Sequence, residues 1–516
     1  MVYLIGAGPG DPGLLTLKGR DILAKADAIV YDALISPQLL EWAKPGARMI
    51  FVGKRAQLAG RQGRRHIKEQ GDINKILARL AAQGGVVARL KGGDPFMFAR
   101  GGEEAAFLAE AGIRFEIVPG VTSALGAAAY AGIPLTHRRF NSMVTFVTGY
   151  EGNGKRAAPV EWSRISRAGT LVVFMGLDRL PLITKRLRQN LWEDHVPAAA
   201  IQWGTTPRQR VVEGTLATIA RKAREARLTS PVLVIIGRVV GLRKKLRWFD
   251  KKPLFGKRIL ITRAADQAAD FISLLAETGA DALSFPTIQI APPKSWGAVD
   301  RAIAEITGYD WLLFTSVNGV RMFFERLNKK GGDIRDLKGL RIGAIGPKTS
   351  ARLQSLGLTV DAFPEEYRAE ALAEVIGEVR GRRVLLARAE KARDVLPKTL
   401  EARGAAVTIA TVYRTLQPRY LANNIKKLLV HGEIDAVTFT SSSTVDGFMD
   451  HFSSLERGRI FRHTKAAAIG PITAATLRRY GVRPAILAKP YTIEALTQAL
   501  VNFFRRHPGG SRGPAA

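Results

Sequence analysis

Two glycine-rich stretches hold residues whose types and spacing could do chemistry. The first, GAGPGDP, places Gly6, Gly8 and Gly10 directly after the apolar run VYLI. A strand-to-helix turn of this kind is where the pyrophosphate of a dinucleotide would rest on backbone N–H groups. This turn suits that role poorly. Asp11 stands where the third fingerprint glycine belongs, and Pro9 and Pro12 each remove an N–H donor. The second stretch, RLKGGDPFMFARGGEE, starts at Arg89 and is followed by VPGVTSALGAAAYAGIPLTHR. Taken singly, each reads equally well as a tight turn, with Asp94 capping a helix and Pro95 at its first position. Taken together, they describe loops where backbone carbonyls and small residues approach a ligand closely. Asp11 and Asp94 would favour positive charge, so the ligand expected is neutral or cationic.

Other chemistries are excluded by composition. The chain has no cysteine, which removes disulfides, thiolate metal sites, iron–sulfur ligation and thiol nucleophiles. Its 7 histidines, His66 and His137 among them, lack metal-ligand spacing, so no metal is expected. The 78 Lys and Arg against 45 Asp and Glu leave a formal charge of +33, a field that attracts polyanions. Three readings of that charge stay open: nucleic acid, a basic proteome, and a small substrate with many carboxylates. The sharpest basic run, GRQGRR with Arg61, Arg64 and Arg65, has no interleaved aromatics on which bases would stack.

These loops need a scaffold, and the sequence outlines one. Apolar strand-like runs alternate with helical spacing from the start: VYLIGAG, LLTLKGRDILAKA, AIVYDAL and RMIFVGK. That is the rhythm of a mainly parallel α/β sheet. A second block of strands begins near SMVTFVTGY and ends with PVLVIIGRVV, after which GLRKKLRWFDKKPLFGKR breaks the pattern. Domains are therefore expected at 1–248 (lobes about 1–120 and 121–248), a linker at 249–255, a second unit at 256–506 and a disordered tail at 507–516. No apolar run reaches the roughly 18 residues that span a bilayer, and no signal-peptide pattern opens the chain. A soluble, cytoplasmic protein with no membrane partner is expected.

The second unit repeats itself. GKRILITRA at Gly256 returns as GRRVLLARA at Gly381, and DWLLFTS at Asp310 returns as DAVTFTS at Asp435. AIGPKTSARLQSLG at Ala344 returns as AIGPITAATLRRYG at Ala468. Two similar α/β lobes with a cleft between them are expected. Hydroxyls gather at the strand ends: Thr315, Ser316, Thr440, Ser441 and Ser442, with Thr349 and Thr473 after the two GP turns. They read either as helix caps or as a polar cleft lining, and helix-start N–H groups beside them would welcome carboxylates.

The set GAGPGDP, VYDALIS, VGKR, HIKEQGDIN, RLKGGDPFMFARGGEE, VPGVTSA, AGIPLTHR and VFMGL closely resembles the uroporphyrinogen-III C-methyltransferases. The resemblance implies a class III tetrapyrrole methyltransferase of two α/β domains, with S-adenosyl-L-methionine in the trough between them and a homodimeric assembly. By motif, cofactor contacts would come from Pro9, Gly92, Gly93, Asp94, Met97, Thr122, Ser123, Met175 and Gly204. Asp32 in VYDALIS would accept the pyrrole proton and Lys54 in VGKR would donate one. Arg100, Glu103 and Arg138 resemble contacts to substrate carboxylates, which arginine forks match. Two departures stand out: Ala99 replaces the glycine usual before RGGEE, and AQLAGRQGRR lengthens the connection after Lys54.

FTSVNGV, AIGPKTS, VYRT, TFTSSS and AAIGPITA resemble uroporphyrinogen-III synthase more weakly. That resemblance implies interleaved lobes, about 256–290 plus 418–506 and 291–417, holding the octacarboxylate hydroxymethylbilane between them. Thr315, Ser316, Thr440, Ser441 and Thr473 would line the cleft, and Tyr413 in VYRT would assist loss of the hydroxyl. The fold class implied is α/β throughout, a two-domain methyltransferase followed by a bilobed two-repeat synthase. The function implied is closure of hydroxymethylbilane to uroporphyrinogen III and its double methylation to precorrin-2. Two alternatives remain: a methyltransferase with an inactive synthase-like docking half, and a basic RNA-binding methyltransferase.

Overall fold

The computed structural model describes residues 1–53, 70–149, 160–264, 267–364, 369–416 and 423–507. Lys54, the GRQGRR run, His66 and residues 508–516 of the expected tail lie outside them. The chain divides into two units. The first is Met1–Arg258 with Leu275–Asp281 and Val501–Ala516; the second is Ile259–Leu274 with Ala282–Leu500.

The first unit is built on two sheets. Strands β1 (Val2–Gly6), β2 (Ala28–Tyr31), β3 (Arg48–Phe51), β4 (Val87–Lys91) and β5 (Phe115–Val118) lie in the order β3-β2-β4-β1-β5. Their ladders are all parallel. Alternation along β1 sends Leu4 to one buried face beside Val30 and Leu108, and Ile5 to the other beside Ile29 and Leu90. Helices cover both faces, as a parallel sheet requires. The second sheet, β6 (Val144–Thr148), β7 (Thr170–Phe174), β8 (Pro197–Gln202), β9 (Arg210–Thr215) and β10 (Val232–Ile236), runs β6-β7-β10-β8-β9. It is mixed: β6 and β7 are parallel, whereas β10 runs against β7 and β8.

Residues 249–255, expected to connect the halves, are folded. Phe249–Lys251 make a 3-10 turn, and Phe249 and Leu254 are buried. Just before them, the Trp248 indole N–H donates to the Ala129 carbonyl at 3.0 Å.

The repeat in the second unit becomes two sheets of one topology. Strands β11 (Arg258–Ile261) and β12 (Asp281–Ser284) open the first sheet; β13 (Gln289–Ala291), β14 (Trp311–Phe314), β15 (Arg341–Ala344), β16 (Arg383–Ala389) and β17 (Ala406–Leu416) make the other; β18 (Ala436–Phe439), β19 (Lys465–Ala468) and β20 (Ile486–Leu487) return to the first. The orders are β12-β11-β18-β19-β20 and β13-β17-β16-β14-β15. The repeated motifs place β16 where β11 stands, β14 where β18 stands and β15 where β19 stands. An isolated parallel bridge from Gly343 to Ala362 takes the place of β20. The added edge strand β13 is antiparallel to β17. Strand β11 thus pairs in parallel with β18, far along the chain. Among the described residues no helix is long and apolar enough to cross a membrane.

Candidate active sites

In the first unit the two glycine loops are joined to each other. Gly8 and Gly93 form an antiparallel bridge, with the Gly93 N–H donating to the Gly8 carbonyl at 2.8 Å and the reverse bond at 3.2 Å. Backbones approach so closely that only glycine fits. A side-chain carbon on Gly120 would fall 2.3 Å from the Gly93 carbonyl oxygen, and one on Gly6 would fall 2.5 Å from the Gly120 Cα. The helix Ser123–Tyr130 and the loop after β8 close the other side. A carbon on Gly126 would meet the Pro9 ring at 2.4 Å, and one on Gly10 would lie 3.2 Å from the Gly204 carbonyl oxygen. Met97 packs against the core beneath the second sheet. Next to it, the Phe98 ring lies 4.9 Å from that of Phe174, the neighbour of Met175. Of the nine residues expected at the cofactor, Gly93 lies beside Thr122 and Ser123, Pro9 packs on the helix Ser123–Tyr130 and Gly204 lies beside Gly10, around the trough expected between the two sheets.

The carboxylates expected to attract positive charge are partly committed to the scaffold. Asp94 Oδ1 accepts from the Phe96 N–H at 2.8 Å, and Oδ2 from the Gly120 N–H at 3.0 Å, clasping the second loop to the third. Asp11 Oδ1 accepts from the Gly13 N–H at 2.8 Å and Oδ2 from the Tyr130 hydroxyl at 2.6 Å. Burial and the Asp11 carboxylate together push the Tyr130 phenol above its ordinary range. Thr122 caps the helix Ser123–Tyr130 in extended backbone without spending its hydroxyl on the cap.

Strain concentrates on this trough. Phe98, Arg100, Met175, Trp203 and Thr205 hold φ values of +53°, +60°, +50°, +50° and +68°. Each left-handed non-glycine residue costs about 1–2 kcal/mol. All five lie in the loops after β4, β7 and β8, so the strain is spent on the trough edge. In these loops Pro9 and Pro12 lack N–H donors, and the apolar side chains of Phe96 (56% exposed) and Met175 (53% exposed) face outward. This donor set fits a nucleoside bearing a sulfonium better than a phosphate.

Asp32 follows β2 at the C-terminal edge of the first sheet. Its Oδ1 accepts from Arg89 Nη2 at 3.1 Å. Gly53 presses on the same turn, where a side-chain carbon would sit 2.3 Å from the Ala33 nitrogen. Arg100 and Glu103 face each other in a two-bonded pair, 2.9 and 2.7 Å, on the exposed start of the helix Gly101–Glu110. The Arg100 bond holds the Glu103 carboxyl below the usual range. Arg138 is exposed in the turn after Ile133. His137 serves that turn: its Nδ1 accepts from the Arg139 N–H at 3.2 Å.

The reading from sequence missed Arg89, Lys91 and Glu104, which are buried around Asp32. The signal was the alternation R-L-K within a strand otherwise apolar. Charged residues two apart on a central strand share a buried face, so counter-ions must come from elsewhere.

In the second unit, Ser316 and Ser441 end β14 and β18 and cap the helices that follow. Ser316 accepts from the Gly319 N–H at 3.0 Å and Ser441 from the Thr444 N–H at 3.2 Å. Thr315 and Thr440 are half-buried beside them. Thr349 and Thr473, expected on the same lining, are only 5% and 4% exposed. Both sit at the inward third position of helices that start Gly-Pro, so they serve packing, and Ile472 faces outward in Thr473's stead. The Tyr413 hydroxyl is 3.1 Å from Ser316 Oγ. Burial raises the Tyr413 phenol above its ordinary value. The two lobes touch through the Gln267 amide, which donates to Asn318 Oδ1 at 2.9 Å. Among the described residues no group of three acidic or histidine side chains could hold a metal ion.

Comparison with known proteins gives one consistent picture. The family model described as tetrapyrrole (corrin/porphyrin) methylases matches residues 1–220, and that described as uroporphyrinogen-III synthase HemD matches residues 269–498. The porphyrin biosynthesis protein HemD of Ruminiclostridium josui is 37% identical over 504 residues, covering 97% of each chain. The uroporphyrinogen-III C-methyltransferase of Bacillus subtilis is 38% identical over 364 residues, covering 70% of this chain and 73% of its own. A crystal structure of uroporphyrin-III C-methyltransferase from Thermus thermophilus with S-adenyl homocysteine is 36% identical, covering 46% of this chain and 92% of its own, with a TM-score of 0.39.

Proposed function

Because the chain belongs to the family that joins a tetrapyrrole methylase to a uroporphyrinogen-III synthase, we infer that it closes hydroxymethylbilane to uroporphyrinogen III and methylates that product twice, at C2 and C7, to precorrin-2. The observation that carries the reading is the likeness to a porphyrin biosynthesis protein across 97% of both chains, which spans both units.

S-adenosylmethionine supplies an electrophilic methyl group in this reaction. The chain's part is to align the acceptor carbon and to manage the pyrrole proton. Pro9, the Gly92-Gly93-Asp94 turn, Met97, Thr122, Ser123, Met175 and Gly204 hold the donor in the trough. Asp32 accepts the proton displaced from the pyrrole, and the Arg89 guanidinium steadies its carboxylate. Lys54, outside the described residues, is the proposed proton donor. Arg100, presented by Glu103, and the exposed Arg138 bind propionate and acetate groups of the substrate.

In the second unit Tyr413 assists departure of the bilane hydroxyl. A buried phenol stays protonated at neutral pH, as an acid must. Thr315, Ser316, Thr440 and Ser441 orient the chain, and first-turn N–H groups after the GP turns accept carboxylates. A partner copy in a homodimer and a cytoplasmic setting complete the reading. Light scattering and cell fractionation test those two parts.

The deciding experiment gives purified full chain hydroxymethylbilane and S-adenosylmethionine and identifies the product. Precorrin-2 is expected. Uncatalysed closure yields the uninverted isomer I, so isomer I alone would mean an inactive synthase half, and methyl transfer to RNA in preference to uroporphyrinogen would overturn the whole reading. The basic charge suits octa-anionic substrates, so kcat/KM should fall with added salt; a flat response removes electrostatic capture from the account.

A further inference from the structure

Below Asp32 lies an ion network that neither the glycine loops nor the helix caps explain. Arg89 and Lys91, on β4, are 2% and 3% exposed, and Glu104, on the helix Gly101–Glu110, is 0% exposed. A single oxygen, Glu104 Oε1, accepts from Lys91 Nζ at 2.8 Å, from Gln70 Nε2 at 3.1 Å, and from both Arg89 Nε and Nη2 at 3.3 Å. The same Arg89 Nη2 reaches Asp32 Oδ1 at 3.1 Å. Glu104 Oε2 is buried without a partner.

Stability alone accounts poorly for this arrangement. Burying ions costs several kcal/mol each before pairing, and apolar side chains of similar volume often do as well or better. An idle buried oxygen adds about 1–3 kcal/mol of cost. The carboxylate is turned so that one oxygen serves Arg89 and Lys91 together. Those two cations share one face of one strand and would repel each other without it. Burial and the Arg89 charge already press the Lys91 ammonium below its usual range, with Glu104 opposing them. Two cations and two anions balance, and of the four only Asp32, with a side chain 29% exposed, opens outward.

We propose that Glu104 is a positioning residue for methyl transfer, holding the Arg89 guanidinium in the one orientation that fixes the Asp32 carboxylate at the trough. The inference rests on the reading of Asp32 as proton acceptor. A misplacement of about 1 Å at a reacting group can cost about 100-fold in rate.

The test is a double-mutant cycle on the full chain, assayed with uroporphyrinogen III and S-adenosylmethionine. Glu104→Gln should lower kcat about 10- to 100-fold with KM and calorimetric cofactor affinity changed less than about twofold. In an Asp32→Asn background the same change should cost less than about twofold, because its effect passes through Asp32. Losses that multiply, or a Glu104→Gln enzyme with full kcat, would overturn the proposal. Arg89→Lys keeps the charge but not the planar fork, and it should give the same non-additive pattern. If Glu104→Gln fails to bind cofactor, the Arg89→Lys cycle decides alone, and multiplying losses there count against the proposal equally. A wild-type chain that transfers no methyl group, or an Asp32→Asn enzyme with wild-type kcat, brings down the functional reading itself, a separate result.

Discussion

The methyltransferase and synthase units shape their sites by different means. In the first, five non-glycine residues around the trough sit at positive φ, and three backbones meet at Gly6, Gly93 and Gly120. Among the described residues of the second unit, no side chain other than glycine takes positive φ. Its candidate groups are hydroxyls that also cap helices, and its buried Arg388 pairs with an Asp394 that is 57% exposed. The first site is pre-formed by backbone that can take few other sequences. The second is assembled from ordinary strand and helix ends. That difference explains why long, ordered motifs mark the first half and short, loosely spaced ones mark the second.

The contrast can be broken most sharply at Gly120. Gly120→Val would drive a side chain into the Gly93 carbonyl, and overpacking of this kind costs about 1–3 kcal/mol or more. Methyl transfer should fall about 100-fold while ring closure by the same purified chain stays within about twofold. Equal losses in both assays would mean the units are not independent in function.

The counterpart in the second unit is Tyr413→Phe, expected to slow ring closure about 100-fold if the phenol is the acid. Because burial raises this phenol above its ordinary value of 10.0, it stays protonated across neutral pH and loses its proton only above that value. The alkaline limb of ring closure should therefore lie above pH 10 and vanish in the variant. A limb at lower pH, or a variant with full rate, removes the tyrosine from the mechanism.

Smaller effects sharpen the comparison. Tyr130→Phe deletes the bond to Asp11 that fastens the first loop, worth about 1 kcal/mol, so cofactor affinity should weaken about fivefold by calorimetry. Ser441→Ala removes a helix cap worth about 1 kcal/mol of stability. A denaturant midpoint lowered to match, with ring closure nearly intact, would mark Ser441 as a cap; a large loss of rate at unchanged stability would mark it as a substrate contact.

Part of this site is legible in the sequence. The R-L-K alternation in β4 was visible but ambiguous, because its counter-ions come from Asp32, many residues earlier, and from Glu104 beyond the next loop. Only the folded sheet brings them together. Thr349 and Thr473 looked alike with the other hydroxyls, yet the helix turn carries them inward. Asp94 reads in the sequence as a helix cap with Pro95 at the first helical position, but the helix begins only at Gly101 with Arg100 at its N-cap. Asp94 instead clasps the loop by accepting from the Phe96 and Gly120 N–H groups; that Gly120 belongs to a third loop was not readable.

Local periodicity, glycine and proline placement and the internal repeat determine this chain's α/β strands, its loops and the paired topology of its second unit, because those follow from backbone sterics and from which faces must be buried. The tertiary structure alone decided that β11 pairs with β18, that the glycine loops bond to one another, and that one carboxylate oxygen gathers Arg89 and Lys91 behind Asp32. Each of these joins residues far apart in the chain. Contacts of that kind are selected by close packing and by the need to pair buried charge, which no local stretch of sequence carries.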